Sequence, residues 1–190
     1  MSKVLWKANK KRIKNSNLCD YENFVKQKFN IDIKNEYSKL LKWSINKPKD
    51  FWSSIWDYTK IKGIKKNKII LNKKLFKSKF LVNSKLNFAE NLLRKKSKDK
   101  AITFISENGY RNEKSWYELN NSVSKVIYFF KNQKINLKDR IACYMPNIIE
   151  TVECFLATSA IGAIWSSCSP DFGSRGVIER FSQINPKILI

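Results

Sequence analysis

The chain has 190 residues, enough for one domain of ordinary size or for a small domain followed by part of a larger one. Apolar residues make up 43% of it, including six Trp, seven Tyr and twelve Phe, which excludes a wholly disordered chain. The sequence contains no His, which excludes Ser-His-Asp catalysis, Cys-His catalysis and imidazole ligation of metals within these residues.

The formal net charge of +22 lies almost entirely in the first half of the chain. Residues 1–100 hold 28 Lys and Arg against 8 Asp and Glu, whereas residues 101–190 hold 10 against 8. A strongly basic half is typical of proteins that bind nucleic acid or an anionic membrane. Lys far outnumbers Arg, although Arg makes the better bidentate contacts with phosphates and bases. We therefore favour a solvated basic surface, and keep as an alternative a nucleic-acid-binding module, which predicts salt-sensitive binding by residues 1–100.

The cysteine spacing and the hydropathy predict a cytoplasmic protein. The four cysteines show no CxxC spacing, which disfavours a zinc site or a redox pair and fits a reducing compartment; they are Cys19, Cys143, Cys154 and Cys168. The N-terminus lacks the apolar stretch of a signal peptide, and the longest weakly polar run, residues 154–165, is too short to cross a bilayer. We expect no membrane span.

The first half of the chain divides into a tail, a helical region and a connection. Residues 1–20 are basic and rich in Asn, which predicts a poorly ordered tail. Residues 20–62 carry apolar side chains at helical spacing, and a Lys-rich connection follows. A helix that starts at Pro48 presents one aromatic face, which consists of Phe51, Trp52, Ile55 and Trp56. We favour packing of this face on a neighbouring domain over a platform for stacking a ligand.

From residue 101 onward the pattern changes to strands that alternate with helices. Residues 101–105 predict a strand, residues 107–109 a turn, and Ser115-x-x-Glu118 a capping box that opens an amphipathic helix. Further strands are predicted at 141–145, 164–168 and 187–190, with helices at 148–163 and 174–183 between them. This alternation predicts an α/β fold with a mainly parallel sheet.

Several polar residues near the strand at 164–168 are candidate site residues. Ser166, Ser167 and Ser169 have no His base and no nucleophile-elbow pattern, so we expect them to satisfy backbone groups. Asp171-Phe172-Gly173 matches a kinase metal motif, but no other kinase element accompanies it, and a turn or a helix cap is the preferred interpretation.

The turn at 168–173 follows the carboxyl end of a predicted strand, where α/β sheets bind ligands. It is a candidate border of a substrate pocket. Arg175 and Arg180 lie in the next predicted helix, and we favour solvated side chains over an anion site for both.

One long run of the sequence resembles a known family. Residues 159–173 read SAIGAIWSSCSPDFG, a segment that closely resembles the acetoacetyl-CoA synthetases. Further segments agree with this family in the same order: 86–93, 115–119, 139–142, 146–147 and 181–187. The resemblance covers roughly residues 20–190, and it is densest after residue 84.

The resemblance implies a fold and a reaction. It implies a helical N-terminal cap, residues 21–95 with the Lys-rich connection, followed by the first βα units of the large domain of an adenylate-forming enzyme at residues 96–190. It also implies an acid–thiol ligase that converts ATP, acetoacetate and coenzyme A into acetoacetyl-CoA, AMP and diphosphate through an acyl-adenylate. Mg²⁺ would assist by neutralising phosphate charge.

The departures from the family pattern matter equally. The family's Gly-rich phosphate-binding loop, its acidic adenosine-binding segment and its lid Lys have no counterpart in these residues, which contain five Gly and no cluster of them. We therefore assign no catalytic, cofactor-binding or metal-binding residue. We expect an incomplete, N-terminal part of a ligase that is inactive alone and does not bind ATP or CoA tightly. The alternative is a non-catalytic piece that complements a separately encoded C-terminal polypeptide.

Overall fold

The computed structural model describes residues 4–33, 36–72 and 75–190, and the chain divides into two compact units. The N-terminal unit extends to Lys85, and the C-terminal unit covers Leu86–Ile190. The first three residues of the predicted tail lie outside the described residues. The domain boundary that we placed between residues 95 and 96 stays a prediction.

The described part of the N-terminal unit is mainly helical. Its helices are α1, Lys10–Lys14; α2, Asn17–Phe29; α3, Tyr37–Asn46; and α4, Pro48–Tyr58. Ser16 caps α2, because its hydroxyl accepts a hydrogen bond from the Cys19 N–H. Pro48 occupies the first turn of α4, where a missing N–H costs nothing. The end of the predicted tail is thus already the start of α2.

The core of this unit is apolar with one buried hydroxyl pair. Val25, Leu40 and Trp43 pack together on the facing sides of α2 and α3. Tyr21 and Ser54 lie 2.7 Å apart through their hydroxyls, and Ser54 donates to the Phe51 carbonyl, so Tyr21 is the donor to Ser54. Burial raises the pKa of Tyr21. The pair joins α2 to α4 with both hydroxyls satisfied.

The aromatic face of α4 packs inside its own unit. Phe51 contacts Trp43 of α3 edge to face at 6.0 Å between ring centroids. Trp52 contacts Phe80 at 5.3 Å. Phe80 belongs to a hairpin of β1, Lys68–Ile70, and β2, Lys79–Val82. The partners of Phe51 and Trp52 are therefore residues of the same unit, and our expectation of a neighbouring domain was wrong for them.

The C-terminal unit begins with a short helix and an antiparallel hairpin. These elements are α5, Phe88–Leu92; β3, Lys100–Ile105; and β4, Arg111–Ser115. The predicted capping box is confirmed: Ser115 accepts from the Glu118 N–H at 3.2 Å, and Glu118 accepts from the Ser115 N–H at 2.8 Å. This box turns the chain from β4 directly into α6, Trp116–Asn132. The strand predicted at 101–105 is β3. Because β3 pairs only with β4 among the described strands, it belongs to a separate hairpin and not to the parallel sheet.

A parallel sheet follows, with β5 in its centre. The strands are β5, Arg140–Tyr144; β6, Ile164–Cys168; and β7, Ile188–Leu189, and the connecting helices are α7, Ile149–Ala160, and α8, Ser174–Ser182. Ile141 packs with α6 and α7, whereas Ala142 packs with α8. Successive residues of a strand point to opposite faces, so the helices cover both faces of the sheet.

Asp139, in the loop before β5, fixes that loop through its carboxylate. Its carboxylate accepts from the Asn136 N–H at 2.7 Å and from the Lys187 ammonium at 2.8 Å. The hydrogen bond from Lys187 lowers the pKa of Asp139. Gly162 completes this corner: its φ of +72° suits glycine, and an added Cβ would lie 2.5 Å from Leu137.

Asn87 joins two helices of the C-terminal unit. Its side-chain carbonyl accepts from the Glu90 N–H at 3.0 Å and caps α5. Its amide donates to the carbonyls of Ser159 and Ala160, at 3.0 and 3.1 Å, in the last turn of α7. One side chain thus satisfies both the start of one helix and the end of another.

Replacing Asn87 with Ala should lower the free energy of unfolding by about 1–2 kcal/mol, because a cap and two helix-end hydrogen bonds are lost together. Urea unfolding followed by circular dichroism measures this. Asn87→Ser is the matched control, since its hydroxyl keeps the cap of α5 and loses the amide donors. A stability loss equal to that of Asn87→Ala would show that the cap contributes nothing.

Candidate functional site

The candidate site is the turn at the carboxyl edge of the parallel sheet. β5 ends at Tyr144 and β6 ends at Cys168, and these two residues are partners in the parallel register. The turn from Ser169 to Gly173 follows at this edge and leads into α8. The structure thus places the turn where strand ends of α/β sheets bind ligands.

Tyr144 holds this turn in place. Its hydroxyl lies 3.0 Å from the carbonyl oxygens of both Pro170 and Phe172, and its single proton is shared between them. On the other side, the Arg180 guanidinium lies 4.3 Å from the centroid of the Phe172 ring. Sequence reasoning missed Tyr144; the available signal was an aromatic hydroxyl at the last position of a strand, ahead of a proline.

The three serines that we considered occupy structural positions. Ser166 and Ser167 lie within β6 and pair with β5. Ser169 donates to the Asp171 carboxylate at 2.7 Å. Asp171 therefore belongs to the turn, and the residue that precedes α8 is Gly173, with no side-chain cap. Within the turn, Ser169 and Asp171 therefore hydrogen-bond to each other.

Arg175 and Arg180 do not converge on one point. Arg175 pairs with Glu179 one turn later on α8 at 3.1 Å, and its side chain is 93% exposed. Arg180 is engaged with the Phe172 ring. An ion pair of this kind at the surface contributes little to stability. The preferred interpretation of solvated side chains fits Arg175, whereas Arg180 has a stacking partner.

A cleft opens between the hairpin and the start of α7. Its volume is about 310 Å³, and it is lined by residues 102–105 of β3, by Asn147 and Ile148 before α7, and by Ile149 and Val152 within α7. The lining is mostly aliphatic. The neighbouring residue Glu153 points away from solvent to the Lys114 ammonium, at 2.6 Å. The lining residues of the cleft include no acid and no base.

No metal site is present in the parts of the chain that the structure describes. No group of three His, Cys, Asp or Glu side chains there lies close enough to hold an ion. We therefore assign no residue of this chain to Mg²⁺. Within the same residues, none of the helices is both long and apolar enough to cross a membrane.

Three cysteines lie in the C-terminal unit, and burial raises the pKa of the Cys143 and Cys154 thiols. Cys143 and Cys168 are buried in the sheet, and Cys154 is half-buried on α7. Burial is the main reason that the pKa of Cys154 is raised to about 11, and nearby Cys143 and Glu153 act in the same direction. The thiolate is the reactive form of cysteine, so the small thiolate fraction of Cys154 slows its oxidation and alkylation.

Iodoacetamide at pH 8 should modify Cys154 roughly a hundredfold more slowly than a free cysteine, because a pKa of about 11 leaves little thiolate. Peptide mass spectrometry over a time course measures the rate for each cysteine. N-acetylcysteine in the same tube is the reference. Modification of Cys154 at the reference rate in folded protein would contradict the burial that the structure gives it.

The class of protein is shown by comparison with known families. A family model described as AMP-binding enzyme matches residues 88–190, which is nearly the whole C-terminal unit. The chain belongs to this family of AMP-binding enzymes. The predicted α/β fold is thereby confirmed.

The particular relatives agree with the resemblance seen in the sequence. The acetoacetyl-coenzyme A synthetase of Rhizobium meliloti is 35% identical over 187 residues, which cover 98% of this chain and 29% of the relative. The structure of the acetoacetyl-CoA synthetase from Streptomyces lividans matches 99% of this chain and 30% of its own, at 25% identity and a TM-score of 0.89. A malonamoyl-CoA synthetase of Penicillium aethiopicum is 31% identical over 195 residues. The chain spans less than a third of the length of the first two relatives.

Proposed function

We propose that this chain is the N-terminal part of an acetoacetate–CoA ligase. The observation that carries the proposal is that likeness to acetoacetyl-CoA synthetases extends over both units, with 98% of the chain aligned in sequence and 99% in structure. A general AMP-binding domain would account for residues 88–190 alone. The match over the helical N-terminal unit therefore narrows the proposal to the CoA ligases that share this unit.

The reaction proceeds in two displacements. A carboxylate oxygen of acetoacetate attacks the α-phosphorus of ATP, and diphosphate leaves to give acetoacetyl-adenylate. The thiol of coenzyme A then attacks the activated carbonyl, loses its proton, and expels AMP to give the thioester. Mg²⁺ would neutralise phosphate charge in the first displacement. Neither step is assigned to a residue of this chain.

The part of this chain that would meet the substrates is the turn from Ser169 to Gly173. Its support comes from its place at the carboxyl edge of the sheet and from the hydrogen bonds of Tyr144 that shape it. We propose that it borders the pocket in the complete enzyme. We also propose a cytoplasmic location, which is supported by four cysteines that remain thiols.

The test is to capture the native protein from its source cells with an antibody raised against residues 86–190. The captured protein should catalyse acetoacetate-dependent exchange of labelled diphosphate into ATP, and mass spectrometry of the same sample reports which peptides accompany residues 1–190. Exchange that depends on acetate and not on acetoacetate would contradict acetoacetate as the substrate, although the protein would still be an acid–thiol ligase. An absence of exchange with any short acid would overturn the ligase.

Malonamate is the informative competitor in the same assay. One relative is a malonamoyl-CoA synthetase, and malonamate differs from acetoacetate by an amide nitrogen in place of the terminal methyl group. A pocket built for the methyl group leaves that nitrogen without a hydrogen-bond partner, which is costly in a buried site. We expect exchange with acetoacetate to exceed exchange with malonamate at least tenfold.

A separately encoded C-terminal polypeptide is the second candidate. The chain covers 29% and 30% of these two relatives, and this arrangement would place the other family segments on a second polypeptide. In that case the antibody would recover residues 1–190 as one polypeptide together with a second one that carries the missing family segments. Recovery of a single longer polypeptide would exclude this arrangement.

A further inference from the structure

The N-terminal segment from Val4 to Lys14 combines exposed apolar side chains with a basic cluster. Val4, Leu5 and Trp6 are exposed to 76%, 93% and 68%, and Ile13 in α1 to 40%. Large apolar side chains concentrated so closely in a segment of this kind mark an interaction surface rather than a scattered exposure. None of them belongs to the core clusters of the N-terminal unit.

The charge of this segment is of one sign. Its cationic side chains are all exposed, and they are Lys7, Lys10, Lys11, Arg12 and Lys14. The first acidic residue after Val4 is Asp20. Arg12 lies 5.4 Å from the centroid of the Trp6 ring, so the basic and apolar groups share one surface. Asn9 caps α1 and fixes the backbone between them.

We propose that this segment docks the protein on an anionic lipid surface. Lys and Arg are attracted by the negative potential of acidic lipids, and each adds to the affinity while it remains near the surface. Leu5 and Trp6 supply the second signal, because an aliphatic and an amphipathic aromatic side chain enter the headgroup region. Two such signals together produce stable, reversible binding where either alone is marginal.

A nucleic acid would use the same charges in a different way. Phosphate contacts need the cations, but they give no role to Val4, Leu5 or Ile13, which would stay exposed to water. The aliphatic side chains therefore favour the lipid surface. The distinction is measurable, since only membrane docking depends on both the cations and the aliphatic residues.

The experiment is co-sedimentation of the 190-residue chain with vesicles near physiological salt. Vesicles of phosphatidylcholine alone are compared with vesicles that also contain phosphatidylserine. The chain should partition onto the acidic vesicles and stay in solution with the neutral ones, and partition should fall as salt is raised. Circular dichroism of each variant verifies the fold, which exposed residues at this end are not needed to maintain.

Three variants separate the contributions. In the first, Gln replaces the five cations of the segment, and partition should fall more than about tenfold. In the second, Leu5→Ser and Trp6→Ser, partition should fall about tenfold at unchanged net charge. The third is the charge-matched control, in which Gln replaces five exposed lysines elsewhere, Lys42, Lys49, Lys66, Lys79 and Lys98. Its partition should change less than about threefold.

Three results would overturn the proposal. One is no partition onto acidic vesicles near physiological salt. Another is binding to single-stranded RNA that matches or exceeds binding to the acidic vesicles. The third is an equal loss of partition in the segment variant and in the charge-matched control, because general net charge would then account for the binding.

Discussion

Residues 1–190 produced alone should form no acetoacetyl-CoA, and diphosphate release from ATP should equal that of buffer. The reason is chemical: the family's Gly-rich phosphate-binding loop has no counterpart in this sequence, which has no clustered glycines to hold phosphates. Adenylation needs charge stabilisation at the α-phosphate, and such stabilisation usually contributes most to catalysis of this kind. A coupled diphosphate assay with acetoacetate and coenzyme A measures this.

The matched control is the Rhizobium meliloti acetoacetyl-coenzyme A synthetase, purified with the same tag and assayed beside the chain. Isothermal titration with ATP and with coenzyme A extends the test to binding, and we expect no saturable heat for either ligand. Circular dichroism must show folded protein before these results count. Thioester formation by the isolated chain that requires ATP would prove that the phosphate-binding groups lie within residues 1–190.

Replacing Lys114 with Met should lower the free energy of unfolding of the C-terminal unit by about 2–4 kcal/mol. Lys114 on β4 donates to Glu153 on α7 at 2.6 Å and to Ser122 on α6 at 3.2 Å. The Glu153 side chain is only 8% exposed, so the variant leaves a carboxylate that water reaches poorly. A buried charge without its partner is among the costliest changes a single substitution makes.

Replacing Glu153, the partner of Lys114, should lower the free energy of unfolding by a smaller amount. Lys114 is 23% exposed, and its long side chain can turn its ammonium toward water when Glu153 is replaced by a neutral residue. We expect Glu153→Gln to lower the free energy of unfolding by about 1 kcal/mol. The double variant should be more stable than the sum of the two single losses indicates. Urea unfolding of the wild type, the two single variants and the double variant measures this double-mutant cycle. Equal losses of stability in the two single variants would contradict the expected asymmetry.

Local signals accounted for most of the elements of the C-terminal unit. Ser115 and Glu118 define a helix start within four residues, and the apolar runs at 141–145 and 164–168 are too short for helices. Each of these signals is complete within one element. That is why the α6 start and the strands β5 and β6 were predicted close to their observed bounds.

The strand β4 escaped prediction because its sequence lacks an apolar pattern. Its residues, Arg111–Ser115, are all polar or charged. What makes it a strand is pairing with β3, where Thr103 faces Glu113 and Phe104 faces Asn112. Pairing of this kind depends on the neighbouring strand and the turn between them, and β propensity alone does not report it.

The sequence by itself determined the class of the fold, the start of α6, and the resemblance to one family of ligases, since these depend on short patterns of residues. Only the tertiary structure decided what the single side chains do. Tyr144 reaches across 26 residues to Pro170, Asn87 across 72 to Ser159, and Lys114 across 39 to Glu153. No local pattern encodes such pairs, because each forms only after packing has brought distant elements together.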